Sequence, residues 1–253
     1  MRVAALYDIH GNLPALEAVL HDLRRQGVDR IVVGGDVVPG PMSSEALDRV
    51  LDLGVPTDFI RGNGELAALA ERAGAPSGVP EPHRDVVRWS GESLTPEQSE
   101  AIAAWPRTVL LRIPPLGDVL FCHATPRNDT ECFTRLTLED RLAPVFAGVD
   151  ASMVVCGHTH MQFDRTVGRL RVVNAGSVGM PFAAPPGAYW LLLGASWQDG
   201  GVQLRHTVYD FTLAAQRIRG TDYPDAEDSA VRYVVHPPVE ADSLELFASA
   251  ELK

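Results

Sequence analysis

The sequence predicts an α/β protein: a four-layer α/β/β/α sandwich of two mixed β-sheets flanked by helices, forming a single domain over residues 1–220. Three observations predict it. Apolar runs alternate with amphipathic helical stretches through the first 65 residues, which implies a parallel sheet with right-handed crossovers. The runs are too uniformly apolar for a sheet with one wet face. Beyond about residue 106 the pattern changes to closely spaced strands, enough for a second sheet. With 253 residues, 45% hydrophobic and 22% charged, the chain can bury a sizeable core.

Residues 3–7 form the first buried strand, ending at Asp8. Asn12 is a good N-cap, Pro14 fits a first helical turn and Gly27 is a stop; between them Leu13, Leu16, Val19, Leu20 and Leu23 form one helical face. Residues 31–33 form a second strand. Ser43 or Ser44 can cap a helix that runs to Leu53 and stops at Gly54. Residues 59–60 form a third strand, which ends at Arg61-Gly62-Asn63. The stretch 65–106 is helical with Pro/Gly breaks, in pieces at 66–72, 84–90 and 96–104, the last behind the cap Thr95. Residues 108–113 and 119–121 flank a Pro/Gly turn as a hairpin. A helix follows at 138–146, then strands at 153–156, 162–167, 170–173, 189–193 and 202–209, and a helix at 211–219.

The last segment differs. Residues 222–253 carry eight acidic and two basic residues, six of the chain's eleven net negative charges. It reads first as a solvated acidic C-terminal extension spanning 221–253. The sharper reading is a short helix at 243–250 that packs on the domain or on a partner subunit through Leu244, Leu246 and Phe247. A homodimer is therefore allowed and not required.

The net charge of −11, with no basic run, argues against nonspecific nucleic-acid binding. Cys122, Cys132 and Cys156 show no framework spacing, which suits a reducing cytoplasm. No apolar stretch reaches membrane-spanning length, so no membrane is expected as a partner.

Chemistry concentrates at five strand-to-loop junctions: Asp8-Ile9-His10, Gly34-Gly35-Asp36, Gly62-Asn63-Gly64-Glu65, Cys122-His123 and Gly157-His158-Thr159-His160. Each ends an apolar run in a metal-ligand residue type. In an extended segment i and i+2 point to one side, so Asp8 with His10, and His158 with His160, are expected to face common points. Asp8, His10, Asp36, Asn63, His123, His158 and His160 make a mixed O/N set. It suits manganese, iron or zinc better than a thiolate metal or calcium. Seven ligands are too many for one tetrahedral ion and suit two.

This ordered set resembles the calcineurin-like metallophosphoesterases, whose pattern is D-x-H, G-D, G-N-[HCG]-[DE], a lone His after a strand, and G-H-x-H. The resemblance runs from Asp8 to about Val178 and is greatest to the small bacterial and archaeal phosphodiesterase-like members. His10-Gly11-Asn12, Cys122 to Arg127 and Asn174 to Gly179 support it. It implies two divalent transition-metal ions, manganese favoured, with iron, zinc, nickel or cobalt as alternatives. Asp8, His10 and His160 would bind the first and Asn63, His123 and His158 the second, with Asp36 bridging. A hydroxide between the ions would be the nucleophile. Asp36, His123 and Arg127 are thus the candidate catalytic residues. Arg127 and Arg61 are placed to hold phosphate oxygens; both are equally readable as structural ion-pair partners.

One departure bears on substrate. Many phosphomonoesterases of the superfamily have a His after the Asn ligand that serves the leaving group; here that position is Gly64. Loss of a general acid costs on the order of a hundredfold or more in rate unless the leaving group is already good. A small phosphodiester is the favoured substrate. A phosphomonoesterase or protein phosphatase, and a non-catalytic protein-binding scaffold, are the alternatives.

Overall fold

The computed structural model describes residues 1–194, 200–250 and 252. The chain forms the four-layer sandwich: two five-stranded mixed sheets face to face, with helices outside.

The first sheet has the order β10-β9-β1-β2-β3. Strands β1 (Val3–Leu6), β2 (Arg30–Val33) and β3 (Thr57–Phe59) run parallel, while β9 (Ala188–Leu193) and β10 (Val202–Thr207) close one edge antiparallel. The second sheet has the order β4-β5-β6-β8-β7. Here β5 (Gly117–Cys122), β6 (Met153–Cys156) and β8 (Leu170–Asn174) are parallel, and β4 (Thr108–Ile113) and β7 (Phe163–Val167) flank them antiparallel.

Strand alternation sorts the core into layers. Val3, Ala5 and Tyr7 face the second sheet, in one cluster with Phe121, Val155 and Val173, whereas Ala4 and Leu6 face the outer helices. Those helices are α1 (Leu13–Gln26), α2 (Ser43–Leu51) and α7 (Phe211–Arg219). A third layer packs α6 (Glu139–Phe146) on the second sheet through Leu142, Val145 and Phe146. Each fully buried Leu or Val contributes roughly 1.5–3 kcal/mol.

Local signals behaved unevenly. Asn12 caps α1, its Oδ1 accepting from Ala15 N at 3.2 Å, and Gly27 ends α1 in the left-handed conformation. Neither Ser43 nor Ser44 caps α2. Met42 holds that position, and Ser43 Oγ instead donates to the Gly40 carbonyl at 2.8 Å, tying the helix start to the loop before it. Asn63 opens helix α3 (Asn63–Arg72) rather than sitting in a free turn. Two further helices, α4 (Arg84–Glu92) and α5 (Pro96–Ala103), complete the stretch before β4, the latter capped by Thr95.

The acidic C-terminal segment is not a solvated tail throughout. It forms α8 (Ala226–Ser229), a π-helical turn (Ala230–Val235) and α9 (Glu240–Ser249). Ala230, Val234 and Leu244 are buried; Ala230 and Val234 join the core under the first sheet. The Leu246 side chain lies outside the described residues.

Candidate metal centre

All five junctions open on one end of the sandwich, at the carboxyl ends of β1, β2, β5 and β6 and at the start of α3 behind β3. Backbone hydrogen bonds lock the loops together. Asp8 N donates to Gly35 O at 3.1 Å, His10 N to Asp36 O at 2.9 Å, and Gly11 N to Val37 O at 2.8 Å. The turn from Asn174 to Gly179 braces two of them. Ser177 Oγ donates to Asp8 O at 2.7 Å, and Asn174 Nδ2 donates to Gly157 O at 2.7 Å.

The expected extended geometry at Asp-x-His and His-x-His is not what the chain adopts. Asp8, His10, Asp36, His158 and His160 all have positive φ, between 47° and 66°, and they are the only non-glycine residues among those described that do. This region is sparsely used by side-chain-bearing residues and is held only where the surroundings impose it. Tight left-handed turns, not period-two alternation, aim these side chains.

The turns produce two groups. Asp8, His10 and His160 have potential ligand atoms within 4.8 Å of one another, and so do Asp36, His123 and His158. His158 and His160 thus part company, one to each group. Asp36 lies between the groups: its Oδ2 is 3.8 Å from His10 Nε2 and 3.5 Å from His123 Nε2. Asn63 Oδ1 is 3.0 Å from His123 Nε2. All seven predicted residues are therefore brought together.

Hydrogen bonds orient the imidazoles. His10 Nδ1 lies 3.1 Å from Pro39 O, His160 Nδ1 2.7 Å from Met180 O, and His123 Nδ1 3.0 Å from Gly34 O. A carbonyl can only accept, so each Nδ1 carries its hydrogen, and each ring when neutral turns the Nε2 lone pair inward. His158 is reversed: its Nε2 faces Thr130 O at 3.3 Å and Cys132 Sγ at 3.4 Å, leaving Nδ1 as the other nitrogen.

The arrangement asks for positive charge. His10 Nε2 and His160 Nε2 sit 3.2 Å apart with both lone pairs inward. Asp8 Oδ1 is buried and has no hydrogen-bond partner, an expensive state for a carboxylate oxygen. Two inward carboxylates, inward imidazoles and an amide oxygen fit a pair of divalent cations. Burial works against the charged form of Asp36, but His123 and His10 outweigh it and hold the carboxyl well below the usual range. Burial likewise works against a charged His123, yet Asp36 and Asp8 raise it to about 10. Burial and His123 push His158 down to about 4.

Glu65 is a supporting residue more important than its sequence position suggested. Its carboxylate accepts from Asp36 N at 2.9 Å, Val37 N at 2.7 Å, Val38 N at 3.3 Å and Gly62 N at 2.7 Å, fastening the β2 loop to α3. Gly64 N donates to Asp36 Oδ1 at 2.7 Å. A Cβ at Gly64 would lie 2.3 Å from Val38 O and 2.8 Å from Asp36 Oδ1, so any side chain there would have to push the Val38 carbonyl and the Asp36 carboxylate aside.

Arg127 is engaged elsewhere. Its Nε and Nη2 grip the buried Glu131 at 3.0 and 2.6 Å, and Glu131 in turn accepts from Thr125 Oγ1 at 2.6 Å. That pair shapes the loop carrying Thr130 and Cys132. Arg61 Nε is buried without a partner. Sequence reasoning missed the carbonyls of Pro39, Gly34, Met180 and Thr130 as imidazole holders, because backbone acceptors leave no residue signature.

Comparison with known proteins shows the family and the fold. Residues 1–194 match the model of the calcineurin-like phosphoesterase superfamily domain. The uncharacterized protein MJ0912 of Methanocaldococcus jannaschii is 24% identical over 246 residues, covering 88% of this chain and 94% of the relative. The crystal structure of PH1004 from Pyrococcus horikoshii superimposes with a TM-score of 0.74 at 22% identity, over 90% of this chain and 96% of that one. A metallophosphoesterase structure from Sphaerobacter thermophilus gives 0.71 at 24% identity, over 94% and 99%. The chain belongs to the calcineurin-like phosphoesterase superfamily.

Proposed function

We propose that the protein is a dinuclear-metal phosphodiesterase that hydrolyses a small phosphodiester. The observation that carries the reading is Asp36, set between two ligand groups with its Oδ2 within 3.8 Å of an imidazole nitrogen of each. Asp8, His10 and His160 would hold one divalent cation and Asn63, His123 and His158 the other, with Asp36 shared. Such a pair, when bound, activates a water and neutralises the phosphoryl oxygens of an in-line displacement. Manganese is favoured, with iron, zinc, nickel or cobalt as alternatives.

The residues around the cations do the rest. Glu65 holds the Asp36 backbone N–H and Gly64 N donates to the Asp36 carboxylate, so its orientation is set before substrate arrives. The carbonyls behind His10, His123 and His160 fix each ring. Arg61, with its unpaired Nε, is the residue proposed to meet phosphate directly. Arg127 is assigned to hold the 127–135 loop in place through Glu131 and to reach a phosphate oxygen only at the rim.

The absence of space at Gly64 supports the diester preference. The position cannot carry an imidazole that serves the leaving group, so substrates with good leaving groups are favoured. All three cysteines are free, and no helix among the described residues is long and apolar enough to cross a membrane. The free cysteines are what supports a proposed cytoplasmic location.

The test is hydrolysis of bis-p-nitrophenyl phosphate beside p-nitrophenyl phosphate, after metal stripping and manganese reconstitution. Faster diester turnover is expected. Faster monoester turnover would overturn the substrate class, and no turnover of either with any of the five metals would favour a binding scaffold.

A further inference from the structure

The C-terminal segment closes on the metal centre from two directions, both on the side of the first group. At its start, Tyr223, Tyr233 and Val234 line a crevice with His10 and Met180. The crevice has about 20 Å³ of room, enough for a single water. Trp89 of α4 backs Tyr223 edge-on, with ring centroids 5.3 Å apart. Tyr233 and Val234 sit on the π-helical turn, a rare winding that concentrates at functional sites.

At its end, α9 reaches the same group through a chain of rings. Phe247 stacks on Phe182 with centroids 6.0 Å apart, and Phe182 lies 5.0 Å from the His160 ring. Ionic and polar ties hold α9 across the face. Arg135 Nε meets Glu240 Oε1 at 2.9 Å, and Arg141 Nη1 donates to Ala248 O at 2.9 Å near the helix C-terminus. This covering is the most acidic part of the chain.

We infer that the segment 221–250 is the substrate-selecting wall of the site: it fills the His10/His160 side, admits small phosphoesters, and turns away those carrying a bulky or polyanionic group on that side. The inference rests on the metal-dependent phosphoesterase reading above. Its chemistry is steric at the crevice, where no group larger than water fits. It is electrostatic along α9, where Glu240 is paired with Arg135 but Asp242 and Glu245 are exposed and oppose a second phosphate. Substrate then enters over Asn63 and His158, both only partly buried.

The test compares the full chain with Phe247→Ala and with a chain ending at Pro238, all manganese-loaded. Two quantities are read. One is the kcat/KM ratio of thymidine 5′-(p-nitrophenyl phosphate) to methyl p-nitrophenyl phosphate, which share a leaving group and differ in bulk. The other is the rate at which EDTA, itself a bulky polyanion, strips the metal. The wall predicts that the shortened chain raises the ratio by about tenfold, the size of effect a pocket wall exerts on discrimination. It also predicts faster stripping, with Phe247→Ala intermediate. An unchanged ratio and stripping rate, or an equal fall with both substrates, would overturn it. If the shortened chain does not fold, Phe247→Ala decides alone. Turnover that survives Asp36→Ala would sink the underlying metal reading instead, and the ratio of the two diesters would still judge the wall.

Discussion

The two ligand groups draw on the same chemistry, an aspartate and two imidazoles each, yet they sit in different surroundings. In the first group His10 and His160 are 9% and 7% exposed, and Met180, Phe182 and the C-terminal segment close round them. In the second, His123 is buried between both carboxylates, but His158 and Asn63 reach the surface beside the Thr130–Cys132 loop. The difference teaches that a near-symmetric ligand set can be made unequal by its walls. On the proposed reading, the first group would retain a cation and the second would let substrate and solvent approach.

Asp36 is where the comparison is most easily broken, since it belongs to both groups. Asp36→Ala should cut diester turnover by more than the 10–100-fold typical of an outer-shell partner, and should lower metal content in both groups together; steady-state kinetics and elemental analysis read the two. Survival of one bound metal at full affinity would show that the groups are independent. Gly64→Ala comes next. Its Cβ would drive into Val38 O and Asp36 Oδ1, so a loss of roughly 1–3 kcal/mol in urea unfolding is expected. Gly64→His should fail to restore monoester activity; a gain there would mean the loop yields.

Protons sharpen the contrast. His123 is held protonated up to about pH 10 without metal, whereas His158 is neutral above about pH 4. A cation needs the His123 lone pair, so loading the second group should expel one proton near neutrality. Its affinity should rise about tenfold per pH unit until pH approaches 10. Calorimetry in buffers of different ionisation enthalpy measures that proton, and a zero count would contradict the shift. The smallest effect is expected at Asn12, which caps α1 and whose Nδ2 donates to Gly179 O at 2.9 Å. Asn12→Ala should cost about 1 kcal/mol of stability, with turnover nearly unchanged.

Much of this was legible in the sequence because strand-end chemistry is local. The alternating βαβ pattern gave the first sheet, and the five junctions gave the residues that the fold gathers. The aiming mechanism was not legible. Period-two reasoning placed Asp8 with His10 correctly but for the wrong backbone reason, since left-handed turns depend on neighbouring loops such as 35–37 and 177–179. The acidic segment left two readings open, a solvated tail and a packed helix at 243–250, for a similar cause. Its charge signalled solvent, while Ala230, Val234 and Leu244, three small or medium apolar residues, carry its packing. Gly64 showed as a missing imidazole, and only the fold explains what any other side chain there would push aside.

The most direct test of the central claim is the count of manganese ions bound per chain, by elemental analysis after reconstitution and desalting, for the wild type and for His158→Ala. The account predicts two ions in the wild type and one, retained by the walled group, in the variant. A single ion in the wild type, or loss of both in His158→Ala, would contradict it.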